Sequence, residues 1–154
     1  MTDEYYMKIA LEEAEKAAAE GEVPIGAVVI RKGEIIAKAY NKREAAKDAT
    51  GHAELLAIRE ACRHAGGWRL TDTTLYVTIE PCPMCAGAIL QSRIERVVIG
   101  AMDPKAGACG SVVNLLQHEG FNHQAELVTG VMQEECAGTM KTFFAALRKK
   151  GLAK

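Results

Sequence analysis

Residues 74–85 read Thr74-Leu75-Tyr76-Val77-Thr78-Ile79-Glu80-Pro81-Cys82-Pro83-Met84-Cys85. Thr74 to Ile79 are β-branched or apolar without a breaker, which predicts a strand. Pro81 to Arg93 predicts a loop entering a helix, since Pro83 suits the first helical turn, where its missing N–H is not needed. Arg96–Ile99 predicts a second strand. Two strands joined through a helix need a crossover, which implies parallel pairing.

Upstream, Ile25–Ile30 and Glu34–Tyr40 predict strands joined at Lys32-Gly33, hence an antiparallel hairpin. Residues 3–20 predict a helix carrying Met7, Leu11, Ala14 and Ala18 on one stripe. A polar loop (41–51) leads to a helix from His52 to Ala65, stopped by Gly66-Gly67. Downstream, the pattern predicts a short helix over Ser111–Gln117, a strand over Glu126–Thr129 and a helix over Gln133–Lys150. Alternating helices and strands define an α/β fold. The expected architecture is one domain over residues 1–154, a five-stranded mixed β-sheet sandwiched between helices on both faces.

Composition narrows the function. The 154 residues are 49% hydrophobic and 25% charged, with 19 basic against 20 acidic side chains. This excludes intrinsic disorder and collagen-like or low-complexity classes. No apolar run reaches the roughly 18 residues of a membrane span, and the acidic start Met1-Thr2-Asp3-Glu4 is unlike a signal peptide. A soluble, cytoplasmic domain is expected.

The net charge of −1 excludes a globally basic nucleic-acid binder, yet it is unevenly spread. Residues 141–154 carry Lys141, Arg148, Lys149, Lys150 and Lys154 and no acid, a net +5. The other 14 bases and 20 acids leave the first 140 residues at −6. Such a tail suits an anionic partner, or simply the negative end of a helix dipole.

The five cysteines, at 62, 82, 85, 109 and 136, are odd in number with one close pair, which argues against a disulfide framework. Cys62 and Cys136 fall at helical spacing among apolar residues and read as small buried hydrophobes. Cys109 lies in a loop without an assignment.

Cys82 and Cys85 differ in kind. They flank a predicted helix start, where the helix dipole lowers thiol pKa, so both are expected as thiolates. His52-Ala53-Glu54 opens another helix. Two thiolates and one imidazole make three zinc ligands and leave a fourth position open, the pattern of catalytic rather than structural zinc. Glu54 beside that position could move protons between water and substrate. A lone C-x-x-C also fits a redox pair or half of a structural site. His118 and His123 lie too far along the chain for a zinc finger, with 32 residues between Cys85 and His118 against about 12–15 usually.

His52-x-Glu54 followed by Pro81-Cys82-x-x-Cys85 resembles the zinc-dependent cytidine deaminase-like superfamily, for which this signature is an established one. Glu22-Val23-Pro24-Ile25-Gly26-Ala27, Asn41, Thr74 to Thr78, Glu80 to Gly87, Asp103-Pro104-Lys105-x-Gly107, Asn114-Leu115-Leu116, Asn122-His123 and Phe143-Phe144 are similar to bacterial tRNA adenosine deaminases across almost the whole chain. The resemblance implies deamination of a wobble adenosine to inosine in a tRNA anticodon stem-loop, by a homodimer with one zinc per subunit and no other cofactor. His52, Cys82 and Cys85 would hold zinc. Water activated there would add to C6 of adenine, Glu54 would pass a proton to N1, and ammonia would leave.

The resemblance also implies that Asn41 contacts the target base and that Asp103 and Lys105 touch the RNA. Phe143, Phe144 and Arg148 would flank the anticodon loop, although Phe at helical spacing also fits a core. Where family members read Asp-Pro-Thr-Ala, this chain reads Asp48-Ala49-Thr50-Gly51, which is expected to loosen the loop before His52. The zinc motif alone does not choose the base. A free-base guanine deaminase and a non-catalytic zinc-stabilised RNA-binding module both remain compatible with it.

Overall fold

A computed structural model describes residues 1–151. The strands β1 (Gly26–Arg31), β2 (Glu34–Tyr40), β3 (Thr73–Ile79), β4 (Arg96–Ala101) and β5 (Glu126–Val128) form one sheet in the order β2-β1-β3-β4-β5. β1 pairs antiparallel with β2 and β3, whereas β3-β4 and β4-β5 are parallel. The mixed sheet expected from the alternation of elements is therefore present. Lys32 and Gly33, both at positive φ, close the β1-β2 hairpin, as the right-handed strand twist favours.

Successive strand residues point to opposite faces, and the central strands are apolar on both. Ala27, Val29, Leu75, Val77, Val97 and Ile99 pack against α3 (Ala53–Ala65) and α4 (Pro83–Ser92) in one cluster. Val28, Ile30, Tyr76 and Val98 face α1 (Asp3–Ala19) and α5 (Gln133–Lys149) in the other. Cys136 is buried in this second cluster, but Cys62 is only half-buried. The Arg96 guanidinium, 2.7 Å from the Asp3 carboxylate and 3.0 Å from Glu126, ties α1 to the sheet.

Two segments differ from the pattern. The polar loop after β2 contains a short helix, α2 (Arg43–Ala46). Its first turn lacks a capping side chain of its own; instead the buried Glu22 carboxylate accepts the amides of Glu44 at 3.0 Å and Ala45 at 2.7 Å. No helix forms over 111–117. Cys109 and Asn114 make an isolated antiparallel bridge, and the Cys109 and Ser111 amides go to the Glu80 carboxylate. With those donors captured and β-branched Val112-Val113 poor helix formers, a helix has nothing to start from.

The crossovers put the start of α3, the start of α4 and the turn after β4 beyond the same ends of β3 and β4. In parallel α/β sheets this is where sites form.

Candidate active site

His52 and Cys82 are the N-cap residues of α3 and α4, with Pro83 directly behind Cys82. Both have extended backbones, so neither side chain is committed to its helix face. They and Cys85 converge: the His52 Nδ1 lies 3.6 Å from the Cys82 sulfur and 3.5 Å from that of Cys85. All three donor atoms lie within 4.8 Å of one another. The donor set fits zinc, which favours sulfur and imidazole nitrogen.

Glu54 faces this trio from the first turn of α3. It is buried, and its Oε1 has no hydrogen-bond partner. An unpaired buried carboxylate oxygen is costly unless a metal site or substrate uses it. Burial pushes the Glu54 carboxyl up to about 7, and the charge of Cys82 adds to the rise. A group titrating there suits both taking and giving a proton near neutral pH.

Without a cation the two thiols do not behave alike. Cys82 is lowered to about 5, first by the Cys85 thiol, then by the amides of Cys85 and Met84 and the charge of His52. Cys85 is driven far above the ordinary thiol range by the Cys82 sulfur, by burial and by the Glu54 charge. One proton therefore stays on the pair until a cation displaces it.

Asn41, at the end of β2, is buried, and its Oδ1 accepts the Ala53 amide at 2.8 Å. This carboxamide holds the start of α3 between His52 and Glu54. Asn41 also lines a cleft of about 300 Å³ with Arg43, Glu44, Phe143 and Leu147. Phe143 and Phe144 belong to neither apolar cluster. They are half-buried, edge to face, with centroids 5.3 Å apart. Arg148 is exposed in the last turn of α5, and Lys154 of the basic tail lies outside the described residues.

The loop before His52 is not loose. Gly51 is buried, the Lys42 amide donates to its carbonyl at 2.8 Å, and a Cβ there would sit about 3.0 Å from the Lys42 carbonyl. Asp48 accepts both the amide and the hydroxyl of Thr50. The glycine permits a close approach rather than adding slack.

Asp103 and Lys105 occupy the turn after β4. Lys105 is exposed and Asp103 half-buried, with Asp103 Oδ1 accepting the amides of Lys105 and Ala106 at 3.1 and 3.2 Å. This turn hangs from Glu80, a residue to which the sequence alone assigns no role. Burial alone would raise its carboxyl, but the Ser111 hydroxyl and the amides of Asp103, Ser111 and Cys109 hold it below the ordinary value. The one signal in the sequence is an acid closing an otherwise apolar strand, directly before Pro81.

Residues 1–101 match the cytidine and deoxycytidylate deaminase zinc-binding region. The chain is 60% identical over 148 residues to the tRNA-specific adenosine deaminase of Bacillus subtilis (strain 168), covering 96% of this chain and 92% of that protein. It is 47% identical over 146 residues to the tRNA-specific adenosine deaminase of Streptococcus pyogenes serotype M18 (strain MGAS8232), covering 95% and 92% respectively. A solved structure from work on A-to-I editing at the wobble position of transfer RNA superposes with a TM-score of 0.84. It shares 42% identity and covers 88% of this chain and 98% of that one.

Proposed function

The chain belongs to the zinc-binding cytidine and deoxycytidylate deaminase family, and from that premise we propose that it deaminates the wobble adenosine of a tRNA anticodon loop to inosine. The observation that carries the chemistry is the unpartnered Glu54 Oε1 facing the His52, Cys82 and Cys85 donors. Glu54 is the fourth group beside three donors, and a buried carboxyl that exchanges protons near neutral pH suits a site that leaves one position to water. The choice of tRNA adenosine rests on identity across nearly the full length of relatives that carry this activity by name.

His52, Cys82 and Cys85 would hold zinc, which would supply a Lewis acid that makes water nucleophilic near neutral pH. Glu54 takes the proton of that water and delivers it to N1 of adenine. It then carries the proton of the hydroxyl added at C6 to the exocyclic nitrogen, so that a C6–O bond replaces the C6–N bond and ammonia leaves. Asn41, with Oδ1 committed to Ala53, offers its Nδ2 to the base. Phe143 and Phe144 stack on neighbouring bases, which single-stranded loops can splay out. Asp103, Lys105 and Arg148 meet the RNA backbone around the inserted nucleotide.

The protein acts as one deaminase domain in the cytoplasm, where tRNA and reducing conditions for its five free thiols coincide. Among the described residues, no helix is long and apolar enough to cross a membrane. It works as a homodimer. In support, the exposed Trp68 borders an apolar cleft of about 640 Å³ between α3 and α4 that also takes in Leu55, Ile58 and Ala88. A second subunit would cover this face, and light scattering at micromolar concentration tests it.

The activity is tested by incubating the purified protein with bulk tRNA and locating inosine by sequencing. Inosine at the wobble position is expected with the native protein. Its loss is expected with Glu54→Gln, by about 10²–10⁴-fold in rate, at undiminished zinc content. Ammonia released from guanine without inosine in tRNA would overturn the assignment.

A further inference from the structure

Glu80 is buried and spends its acceptor capacity on a single loop. Its Oε1 accepts the Asp103 amide at 2.8 Å and the Ser111 hydroxyl at 2.5 Å. Its Oε2 accepts the amides of Cys109 and Ser111, both at 3.0 Å. Gly107 presses on the same carboxylate so closely that a Cβ there would collide with it. One side chain thus fixes the beginning, middle and end of residues 103–111. Charge-assisted bonds of this kind are about twice as strong as neutral ones.

Glu80 is also two residues from Cys82, on the connection between β3 and α4. The neighbouring Pro81 carbonyl accepts the Ala108 amide at 2.9 Å. The loop is therefore referenced to the same short segment that carries the zinc ligands. The turn presenting Lys105 is built on Asp103 Oδ1, and the Asp103 backbone is itself held by Glu80.

We infer that Glu80 is a positioning residue for RNA recognition, setting the distance between the Asp103-Lys105 turn and the pocket that receives the target base. The inference rests on the proposed reading that this turn meets RNA. Touching neither metal nor base, Glu80 acts through the loop.

Glu80→Gln keeps the side chain's size but replaces one acceptor oxygen with a donor, leaving at least one loop amide unsatisfied. Gly107→Ala disturbs the same carboxylate from the other side. For each variant, kcat and KM on an anticodon stem-loop are measured with zinc per chain, and Lys105→Ala is made in both the native and the Glu80→Gln background. KM is expected to rise about tenfold, by more than kcat falls, at full zinc content; tenfold is what one unsatisfied amide is worth. Removing a negative charge near a polyanion would by itself lower KM, so a rise separates positioning from charge. Lys105→Ala is expected to have little further effect once Glu80 is replaced.

Inosine formation by the native protein with KM unchanged in both variants, or with Lys105→Ala fully effective in the Glu80→Gln background, would overturn the inference and leave the activity standing. Zinc loss in step with activity would also overturn it, by making Glu80 a support of the metal site. Absence of inosine with the native protein would instead overturn the activity. Should Glu80→Gln not fold, Gly107→Ala decides on the same kinetic readouts.

Discussion

Asn41 Oδ1 accepts the Ala53 amide at 2.8 Å, so a carboxamide at the end of an edge strand sets the start of the helix that carries His52 and Glu54. The two ends of this amide group have different jobs. The oxygen satisfies a buried backbone donor, and under the proposed reading the nitrogen meets the target base from the cleft that Asn41 lines with Phe143.

Substitution separates these jobs. Asn41→Asp keeps an acceptor for Ala53 and removes the donor. It also buries a carboxyl, so it is expected to cost about 1–3 kcal/mol of stability, while kcat/KM for the stem-loop falls at least about tenfold at full zinc content. Asn41→Ala removes both and is expected to destabilise by about 1–3 kcal/mol in urea, as a buried unsatisfied amide costs. Equal activity in the native and Asp variants would exclude Asn41 from base recognition.

Zinc binding is linked to protons. At pH 8 the Cys82 thiol, lowered to about 5, is already a thiolate, whereas Cys85 holds its proton. Adding zinc to metal-free protein should therefore release about one proton per chain, read by calorimetry in buffers of different ionisation enthalpy. Release of two would mean that water on the ion ionises as well, and release of none that Cys85 is already a thiolate. Cys85→Ser should abolish stoichiometric zinc binding without unfolding the sheet, whose two apolar clusters include none of His52, Cys82 and Cys85.

Much of this is legible in the sequence for physical reasons. The strands β1, β3 and β4 are apolar at successive positions because both sheet faces are covered, and the helix starts carry unmistakable His-x-Glu and Pro-Cys-x-x-Cys motifs. The differences lie where a distant side chain overrides local preference. The expected helix at 111–117 fails because Glu80, some thirty residues earlier, captures the amides of Cys109 and Ser111. The short helix α2 forms because Glu22, some twenty residues earlier, caps it. Neither pairing leaves a local periodic trace. Gly51 reads as slack in the sequence but serves close packing in the fold.

The Asp3-Arg96 pair gives a pH dependence with a definite sign. Its hydrogen bond to Arg96, with further help from Tyr76, lowers the Asp3 carboxyl below its ordinary 3.8, despite partial burial. A carboxyl depressed in the folded state contributes stability that is present above the unfolded value and disappears as pH falls through the folded one. The Tm gap between native protein and Asp3→Asn should therefore be constant from pH 7 to about 5 and close progressively below about 4. A gap that persists unchanged at pH 3 would show that the Asp3 contribution does not depend on its charge, and no gap at any pH would show that α1 docks through packing alone. The pair is partly exposed, so its contribution is modest and weakened by salt.

The basic end of α5 should act on RNA through charge. Arg148, Lys149 and Lys150 follow Phe143 and Phe144 by one to two turns, on a chain whose first 140 residues carry −6. If these cations neutralise phosphates beside the cleft, replacing all three with Ala should lower both affinity for an anticodon stem-loop and the steepness of its salt dependence. Each phosphate left without its cation reduces the slope of log K against log salt by about 0.7–0.9. Phe143→Ala should act differently, weakening binding at every salt concentration with the slope unchanged, because stacking releases no counterions. An unchanged slope in the triple variant would reduce the tail to the favourable end of a helix dipole, and RNA affinity would then rest on the loops around the zinc ligands.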